Sequence, residues 1–437
     1  MPQVNDPGQE QTKPREFMRE KIVKQPRTKR QIAERALAFL FIAAVFGVVA
    51  AISFVLTRPA AEKLFGKEPV TESVPITIPR DEQETPAPTQ PSTEPTEAET
   101  EPIEDVLKSA LETYEYSVDD LNAIFASIHS VVQNVDKGIV VVHSVKVETD
   151  WFDNPIERTG LYAGAVIASN GSELLILTPE AAVEHADSIR VTMQDGTEIS
   201  GTIKQTDKIS GMAIVSVSSQ EIDPETRGEI PVIELGNSYS VKQGDMVIAV
   251  GGPAGIVHST EYGFVSYVAR NVQVPDGVTR VLYTDLKGVG TQGTFLMNTS
   301  GQMIGWLTDE YKSDESAGMN MATSISDYKG ILEKLTNGAP APYLGIKGQE
   351  VSAGMVENGM PQGVYVVNSI ADGPAYNAGI QNGDVITKIG AKEITTLNEF
   401  QTQVEEMEVG AVVTVTVQRN GRDEYREIEF PVTIGNR

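Results

Sequence analysis

Residues 373–386 read GPAYNAGIQNGDVI, and this stretch predicts a short helix, a turn and a strand in quick succession. The helix is expected at Pro374–Ala378 and the strand at Val385–Ile389. Working outward, the same patterns predict three more strands and one more helix: Tyr343–Ile346, Val364–Val367, Val412–Gln418 and the helix Asn398–Glu406. About 95 residues with several strands and two helices make a compact α+β module beginning near Pro342.

A different pattern fills the chain from Leu121 to Leu335, where short β-type runs are punctuated by glycine. The predicted strands are Gly138–Val147, Ala163–Ala168, Leu174–Leu177, Ile189–Met193, Ala213–Val217, Met246–Val250, Arg280–Tyr283 and Gln302–Leu307. Many short strands with turn signals favour an antiparallel sandwich or a pair of barrels, so the chain is predicted to be mainly β. Apolar residues at helical spacing in Ser326–Leu335 predict a closing helix.

The composition argues against several classes of function. The formal net charge of the 437 residues is −26, which repels nucleic-acid phosphates and disfavours DNA or RNA binding. There is no cysteine, so disulfides and thiolate metal sites are ruled out, as suits a reducing cytosol or a bacterial surface protein. The four histidines lack metal-ligand spacing, and no metal or cofactor is predicted.

Ala36–Thr57 is a charge-free apolar run of the length that spans a membrane. Its residues, at about 1.5 Å each, extend roughly 33 Å as a helix, which matches a bilayer core. Nine basic residues precede it, so the N-terminus is predicted to be cytoplasmic and the rest of the chain extracytoplasmic. A cleaved signal peptide is the alternative, but its apolar region would be shorter and end in small residues.

The segment that follows is acidic and rich in proline. Residues 81–105 contain nine carboxylates, five prolines and no lysine or arginine, which predicts an extended, self-repelling spacer. The carboxylates lack the spacing of an EF-hand loop, which disfavours a calcium site. The predicted organisation is a cytoplasmic tail at 1–35, a membrane helix at 36–57, a linker at 58–120, and two folded domains at 121–336 and 342–437.

Both domains carry motifs, in order, that resemble those of the HtrA/Deg family of trypsin-like serine proteases with a PDZ domain. Ala249–Gly255 resembles the family's AIGNPxG run, Gly263–Ser266 its GIVS segment, and Thr284-Asp285 the start of its TDAAI segment. Residues 373–386 resemble the PDZ hallmark SPAxxAGLxxGDVI. The resemblance covers residues 121–437 and implies a trypsin-like double β-barrel followed by an α+β PDZ domain.

The resemblance fails at each catalytic position. Where the family has the histidine of TNNHV, this chain has Ala181; where it has the aspartate of D-x-x-x-D-[LIV]-A, this chain has Gly211. Gln292 stands where GNSGGPL has its serine, and Thr294 and Phe295 replace the glycine and proline beside it. Acyl transfer needs a nucleophile, a base and a group that orients the base, so the sequence predicts a pseudoprotease.

Relocated catalysis is the alternative within the enzyme class. His185 follows Ala181 by about one helical turn and is a candidate displaced base, although a surface histidine is the simpler interpretation. Thr291 or Thr294 with Lys287 would resemble a Ser-Lys dyad. Gly288-Val289-Gly290 lacks the GK[ST] ending of a phosphate-binding loop and is interpreted as a turn.

Peptide binding is predicted for the PDZ domain. Its family captures a terminal carboxylate with backbone N–H groups, which here belong to Tyr343, Leu344, Gly345 and Ile346. The peptide would pair with the following strand and lie against the helix near Asn398–Val404. The alternative is a PDZ-like domain used only for assembly contacts.

The first function hypothesis is a noncatalytic module in envelope protein quality control, with polypeptide C-termini or misfolded envelope proteins as partners. The second is an active HtrA-type endopeptidase with relocated residues. The third is a structural or regulatory subunit, either in a homo-trimer or in an assembly with an active paralogue. In all three hypotheses a single helix anchors the protein in a cell membrane, and the folded domains lie outside that membrane.

Overall fold

The computed structural model describes residues 75–82, 117–152, 154–288, 290, 292–311, 318–421 and 424–437. All of them belong to one compact unit. The predicted membrane helix at 36–57 and most of the predicted linker lie outside these residues. Within the described ranges, no helix combines the length and apolarity needed to cross a membrane.

A first closed barrel contains six antiparallel strands in the order β1-β2-β3-β6-β5-β4. Its strands are β1 Ile139–Thr149, β2 Pro155–Ser169, β3 Glu173–Pro179, β4 Ser188–Thr192, β5 Glu198–Asp207 and β6 Met212–Ser218. In β3, Leu174 and Ile176 face the barrel core, while Leu175 and Leu177 face the second barrel. Both faces of this strand are therefore buried, which explains its uninterrupted apolar sequence.

A second closed barrel follows in the order β10-β11-β12-β9-β8-β7. Its strands are β7 Met246–Gly251, β8 Ser259–Val274, β9 Gly277–Thr284, β10 Thr294–Met297, β11 Met303–Thr308 and β12 Asn320–Ser324. A separate apolar cluster fills each barrel, and a third lies between them. The long β8–β9 hairpin extends beyond the barrel and reaches the C-terminal domain.

The C-terminal domain is built on a sheet ordered β14-β15-β16-β18-β19, with β17 paired to β16, beside the two-stranded sheet β13-β20. Its strands are β13 Pro342–Tyr343, β14 Ile346–Glu350, β15 Val364–Ser369, β16 Val385–Ile389, β17 Lys392–Glu393, β18 Val412–Asn420, β19 Tyr425–Thr433 and β20 Gly435–Asn436. Phe400 is fully buried in its core.

Six α-helices lie outside the sheets. They are α1 Val118–Asp136, α2 Pro224–Glu229, α3 Lys329–Thr336, α4 Ala353–Glu357, α5 Pro374–Ala378 and α6 Leu397–Glu405 among the described residues. Helix α1 starts with a capping box in which Ser117 and Asp120 satisfy each other's backbone N–H groups. Only Val132 and Val135 of this helix are buried.

Residues 75–82 fall inside the predicted linker and nevertheless pack against the folded unit. Ile78 is 7% exposed and joins the core between the barrels. Asp81 pairs with the buried ammonium group of Lys329 at 2.8 Å, and Arg80 pairs with Glu405 at 2.8 Å. This segment therefore contacts both the trypsin-like domain and the C-terminal domain.

The structure confirms the mainly β fold of two barrels followed by an α+β domain. It corrects the first strand predicted for the C-terminal domain, Tyr343–Ile346, which is divided in two. Tyr343 ends β13 and Ile346 begins β14, and between them Gly345 adopts a φ of 86°. This positive φ, which favours glycine, turns three successive N–H groups toward one point.

Candidate functional site

Ala181 and Gly211 line one cavity of about 230 Å³ between the barrels, hereafter the inter-barrel cavity. Ala181 belongs to the single 3-10 turn Glu180–Ala182 after β3, and Gly211 lies in the β5–β6 turn. The N–H of Glu180 donates to the carbonyl of Gly211 at 2.8 Å, which fixes these two turns together. The structure thus brings together two of the three positions where the sequence predicts lost catalytic groups.

Gln292 lies in the loop before β10. Gly290 and Gly293 of this loop and Thr294, the first residue of β10, line the inter-barrel cavity. The carbonyl of Gln292 accepts a hydrogen bond from the N–H of Ala163 at 2.7 Å. A Cβ atom built on Gly255 would lie 3.8 Å from the Gln292 Oε1, so this amide extends toward the loop after β7. The third position is therefore adjacent to the cavity.

The remaining walls of the inter-barrel cavity are mostly apolar. Met212, Phe295, Trp306 and Leu307 each have at most 4% of their surface exposed. The indole Nε1 of Trp306 donates to the backbone carbonyl of Ser210 at 3.2 Å, next to Gly211. Two acidic residues, Glu180 and Asp309, also line the cavity. Burial, followed by repulsion from Glu184, raises the pKa of the Glu180 carboxyl.

Imidazole is missing from this cavity, although all four histidines of the chain lie in the described residues. The side chain of His185, the candidate displaced base, is 79% exposed and lies 3.7 Å from Glu184. His129, His143 and His258 have hydrogen-bond partners elsewhere, on Gln133, Thr192 and Asp136. A relocated histidine base is therefore not found among the lining residues.

In the described part of the chain, the residues of the alternative Ser-Lys-like dyad are not brought together at the cavity. Lys287 is exposed and is not among the residues that line the cavity. Thr294 is 1% exposed and forms part of β10, while Thr291 lies outside the described residues. Groups of three or more His, Cys, Asp or Glu side chains placed to hold a metal ion are also missing from the described ranges.

The second candidate site is the loop Leu344–Ile346, hereafter the carboxylate-binding loop. Its three N–H groups converge on one side-chain carboxylate, which the sequence analysis did not identify. Leu344 N–H donates to Asp276 Oδ2 at 2.7 Å, and Ile346 N–H donates to Asp276 Oδ1 at 2.9 Å. Gly345 N–H lies 2.8 and 3.1 Å from the two oxygens. Tyr343 instead pairs with Gly435 in β13-β20.

Asp276 belongs to the trypsin-like domain, at the tip of the β8–β9 hairpin. It is 6% exposed, and its burial raises the pKa of the carboxyl. The three N–H groups of the loop and the nearby Arg437 act in the opposite direction and favour the ionised form. The Pro275-Asp276-Gly277 sequence signals a hairpin turn, but it carries no sign that the turn would reach another domain.

Comparison with known proteins agrees with both domains. A trypsin-like peptidase domain model matches residues 163–305, and a PDZ domain model matches residues 342–430. The chain is 27% identical to the serine endoprotease DegS of Escherichia coli over 321 residues. This match covers 70% of this chain and 87% of DegS. It is also 26% identical to the serine protease Do-like HtrA of Bacillus subtilis over 293 residues. This match covers 62% of this chain and 64% of the relative.

A third relative, from Halomonas elongata, is named "Probable periplasmic serine endoprotease DegP-like". It is 28% identical over 287 residues, and the match spans 64% of this chain but only 57% of the relative. Among solved structures, the HtrA-type protease AlgW with a decapeptide superposes with a TM-score of 0.51 at 20% identity. That match covers 71% of this chain and 98% of AlgW, and it supports the fold alone. Together, the two domain matches and these relatives identify the chain as a homologue of the HtrA/Deg-family trypsin-like proteases with a PDZ domain.

Proposed function

We propose that this protein is a noncatalytic member of the HtrA/Deg group that binds protein termini instead of cleaving chains. The observation that carries the proposal is the set of residues around the inter-barrel cavity. Ala181 has no basic nitrogen, Gly211 has no carboxylate, and the amide of Gln292 is a poor nucleophile. In the subtilisin triad, removing such groups lowers turnover by about six orders of magnitude.

Binding would then reside in the PDZ domain. The carboxylate-binding loop already holds a carboxylate with four short contacts from three N–H groups, so its chemistry suits the terminus of a peptide. AlgW, a protein of the same fold, is known in complex with a decapeptide. Polypeptide C-termini, including those of misfolded envelope proteins, are the proposed ligands.

Because the named relatives are serine proteases, an active endopeptidase is the competing function. Incubating purified residues 75–437 with casein and with a fluorophosphonate probe separates the two. We expect neither turnover nor labelling, with Bacillus subtilis HtrA as the positive control. Stoichiometric labelling of the native chain would contradict the proposal. Inactivity together with a stable complex with an active paralogue would favour the regulatory-subunit hypothesis.

Restoring the triad is a harder test of the same site. Gly211 has a φ of 68°, a left-handed conformation that glycine adopts more readily than aspartate, so a Gly211→Asp variant carries a backbone penalty. We therefore expect Ala181→His, Gly211→Asp and Gln292→Ser together to restore weak activity at most. The Gln292→Ser variant alone is the matched control, and it should stay inactive because no base faces the new hydroxyl.

The proposed location is the outer face of a cell membrane, with the N-terminus in the cytoplasm. Supporting it are the apolar run 36–57 with its basic flank and the word "periplasmic" in the name of the Halomonas relative. Protease added to cells stripped of their outer layers should release the C-terminal domains. Full protection of the PDZ domain would contradict this orientation.

A further inference from the structure

The tip of the β8–β9 hairpin is a two-residue turn whose geometry orients one side chain toward the PDZ domain. Val274 pairs with Gly277 across the turn, and Pro275 and Asp276 are its central residues. Asp276 has a φ of 64°, so the turn resembles type II, with proline first and a positive φ second. Glycine or asparagine is the usual residue at that second position, and an aspartate there is less common.

Four features of this hairpin reproduce those of a bound peptide terminus. The carboxylate of Asp276 receives the N–H groups of Leu344, Gly345 and Ile346. The backbone N–H of Asp276 donates to the carbonyl of Ile346 at 2.7 Å, as in strand addition to β14. Val278 packs against the PDZ core, and its N–H lies 3.2 Å from the Oε1 of Gln401 on α6.

The hairpin therefore lies where an incoming peptide would lie, between β14 and α6. Contacts join β14 to both β8 and β9, and α6 to β9. A Cβ atom built on Gly277 would come within 2.5 Å of the Gln401 side chain, so little room remains at the tip. One carboxylate uses all three N–H groups of the loop, and a second carboxylate has no donors left.

We propose that the Asp276 hairpin is an internal ligand of the PDZ domain, and that an external C-terminal peptide binds only after displacing it. This inference rests on the proposed function, because it concerns the same carboxylate-binding loop. The apparent dissociation constant for a peptide then equals the intrinsic constant divided by the fraction of molecules in which the hairpin has left. Ligand capture and release of the hairpin become one event.

The first test needs no peptide. Hydrogen exchange of residues 343–348 is compared between the native 75–437 chain and an Asp276→Asn variant. Asparagine tolerates a positive φ, but its NH₂ group cannot accept from the loop, so we expect exchange of these amides to accelerate by at least about tenfold. The control is Asp195→Asn, a turn carboxylate whose partners are Thr197 and Thr226. Equal exchange in the native and Asp276→Asn chains would overturn the inference.

The second test measures affinity by fluorescence polarisation, using labelled ten-residue peptides with mixed internal positions and a free C-terminal valine. We expect Asp276→Asn to bind at least about tenfold more tightly than the native and Asp195→Asn chains, since more of the variant is open. C-terminal amides of the same peptides should bind weakly to all three. Equal affinity of the native and Asp276→Asn chains would contradict internal occupancy. If exchange accelerates in Asp276→Asn but no chain binds peptide, the internal ligand stands and the proposed peptide capture fails.

A disulfide lock covers the case in which Asp276→Asn perturbs folding. The Cβ position of Gly277 is 3.0 Å from Cγ of Gln401, so the Cβ atoms of Gly277→Cys and Gln401→Cys can be no more than about 4.5 Å apart, within disulfide range. The native chain has no cysteine that could interfere. Peptide affinity should fall when this bridge is oxidised and recover with dithiothreitol. Unchanged affinity in the cross-linked protein would overturn the inference.

Discussion

Arg419 and Asp384 form an ion pair inside the PDZ domain. The guanidinium donates from Nε and Nη2 to the two carboxylate oxygens at 2.7 and 2.8 Å, and Asp384 is 1% exposed. The same guanidinium donates to the carbonyl of Gly379 and lies over the ring of Phe430. We expect Arg419→Ala to lower the free energy of unfolding of this domain by up to about 3–5 kcal/mol, because the buried carboxylate of Asp384 loses its cationic partner and keeps the N–H of Gln381.

Arg419→Lys should lower the free energy of unfolding by less than Arg419→Ala, since it keeps the charge but loses the bidentate geometry. Arg426 lies opposite Arg419 in the β18–β19 ladder and is exposed, so Arg426→Ala is the matched control and should have little effect. Urea unfolding of the 75–437 chain, followed by hydrogen exchange in β16 and β18, measures the change. Equal losses for Arg419→Ala and Arg426→Ala would contradict the role of the buried pair.

For single residues, the family resemblance implies that backbone N–H groups around Gly345 bind a carboxylate, but it includes Tyr343, which pairs with Gly435, and it does not point to Asp276. The glycine of the family's motif is matched by Gly345, and in the structure its φ of 86° is one that favours glycine. Asp276 lies 69 residues from Gly345 along the chain, and nothing in its local sequence points to that partner. A long-range contact of one side chain depends on the packing of whole domains, which local patterns do not encode.

Among the elements, α1 is held to the second barrel by a contact that depends on pH. Nδ1 of His258 lies 3.0 Å from Oδ1 of Asp136, the last residue of α1, and this hydrogen bond raises the pKa of His258 above its usual 6.5. When the pKa of a histidine is higher in the folded state than in the unfolded state, its protonation stabilises the fold. This stabilisation is complete at a pH below the pKa of the unfolded state, and it is lost as the pH rises through the pKa of the folded state.

Lowering the pH from about 8.5 to 6 should therefore stabilise the native chain more than a His258→Asn variant, by about 0.2–1 kcal/mol for a partly exposed pair. Asparagine is chosen because His258 has a φ of 67°, which asparagine tolerates. Thermal unfolding of both proteins across this range gives the difference, and the other histidines cancel in the comparison. A difference that does not change with pH would contradict the assignment.

Elements were predictable from sequence where one periodicity runs without interruption. Pro374–Ala378 and Val385–Ile389 are observed with the predicted bounds. Helix α1 was missed although its apolar residues recur at helical spacing from Leu121 to Val135, so the signal was present in the sequence. In the structure the first of them, such as Leu121 and Phe125, are more than half exposed. Strand β8 is irregular, with register shifts after Val265 and Ala269 that break the two-residue period.

Across the whole molecule, Arg437 connects the PDZ domain to the first barrel. Its Nε forms an ion pair with Oδ1 of Asp207 at 3.3 Å, and the two side chains are 7% and 0% exposed. The guanidinium also lies 5.9 Å from the ring centroid of Tyr328. We expect Arg437→Ala to destabilise the first barrel by up to about 3–5 kcal/mol, although the substituted residue belongs to the other domain. The buried carboxylate of Asp207 then loses its cationic partner and keeps only the N–H groups of Ile209 and Ser210.

Hydrogen exchange in β5 and β6 of the 75–437 chain would measure this effect. Adding Asp207→Asn to Arg437→Ala should recover part of the loss, because the buried charge is then removed, and the double-mutant cycle gives the coupling energy. Arg437→Lys serves as the milder control. Unchanged exchange in the first barrel of Arg437→Ala would show that the two domains are stable independently of this ion pair.

The position of Trp306 at the wall of the inter-barrel cavity makes its fluorescence useful. The chain contains two tryptophans, which differ in solvent exposure. Trp151 is 96% exposed, whereas Trp306, at the wall of the inter-barrel cavity, is 3% exposed. Replacing Trp151 by phenylalanine would leave Trp306 as the one tryptophan of the chain, located beside Gly211 and in edge contact with Tyr328. With excitation at wavelengths that tryptophan alone absorbs, its emission wavelength and its quenching would report on whether water or a peptide enters the inter-barrel cavity.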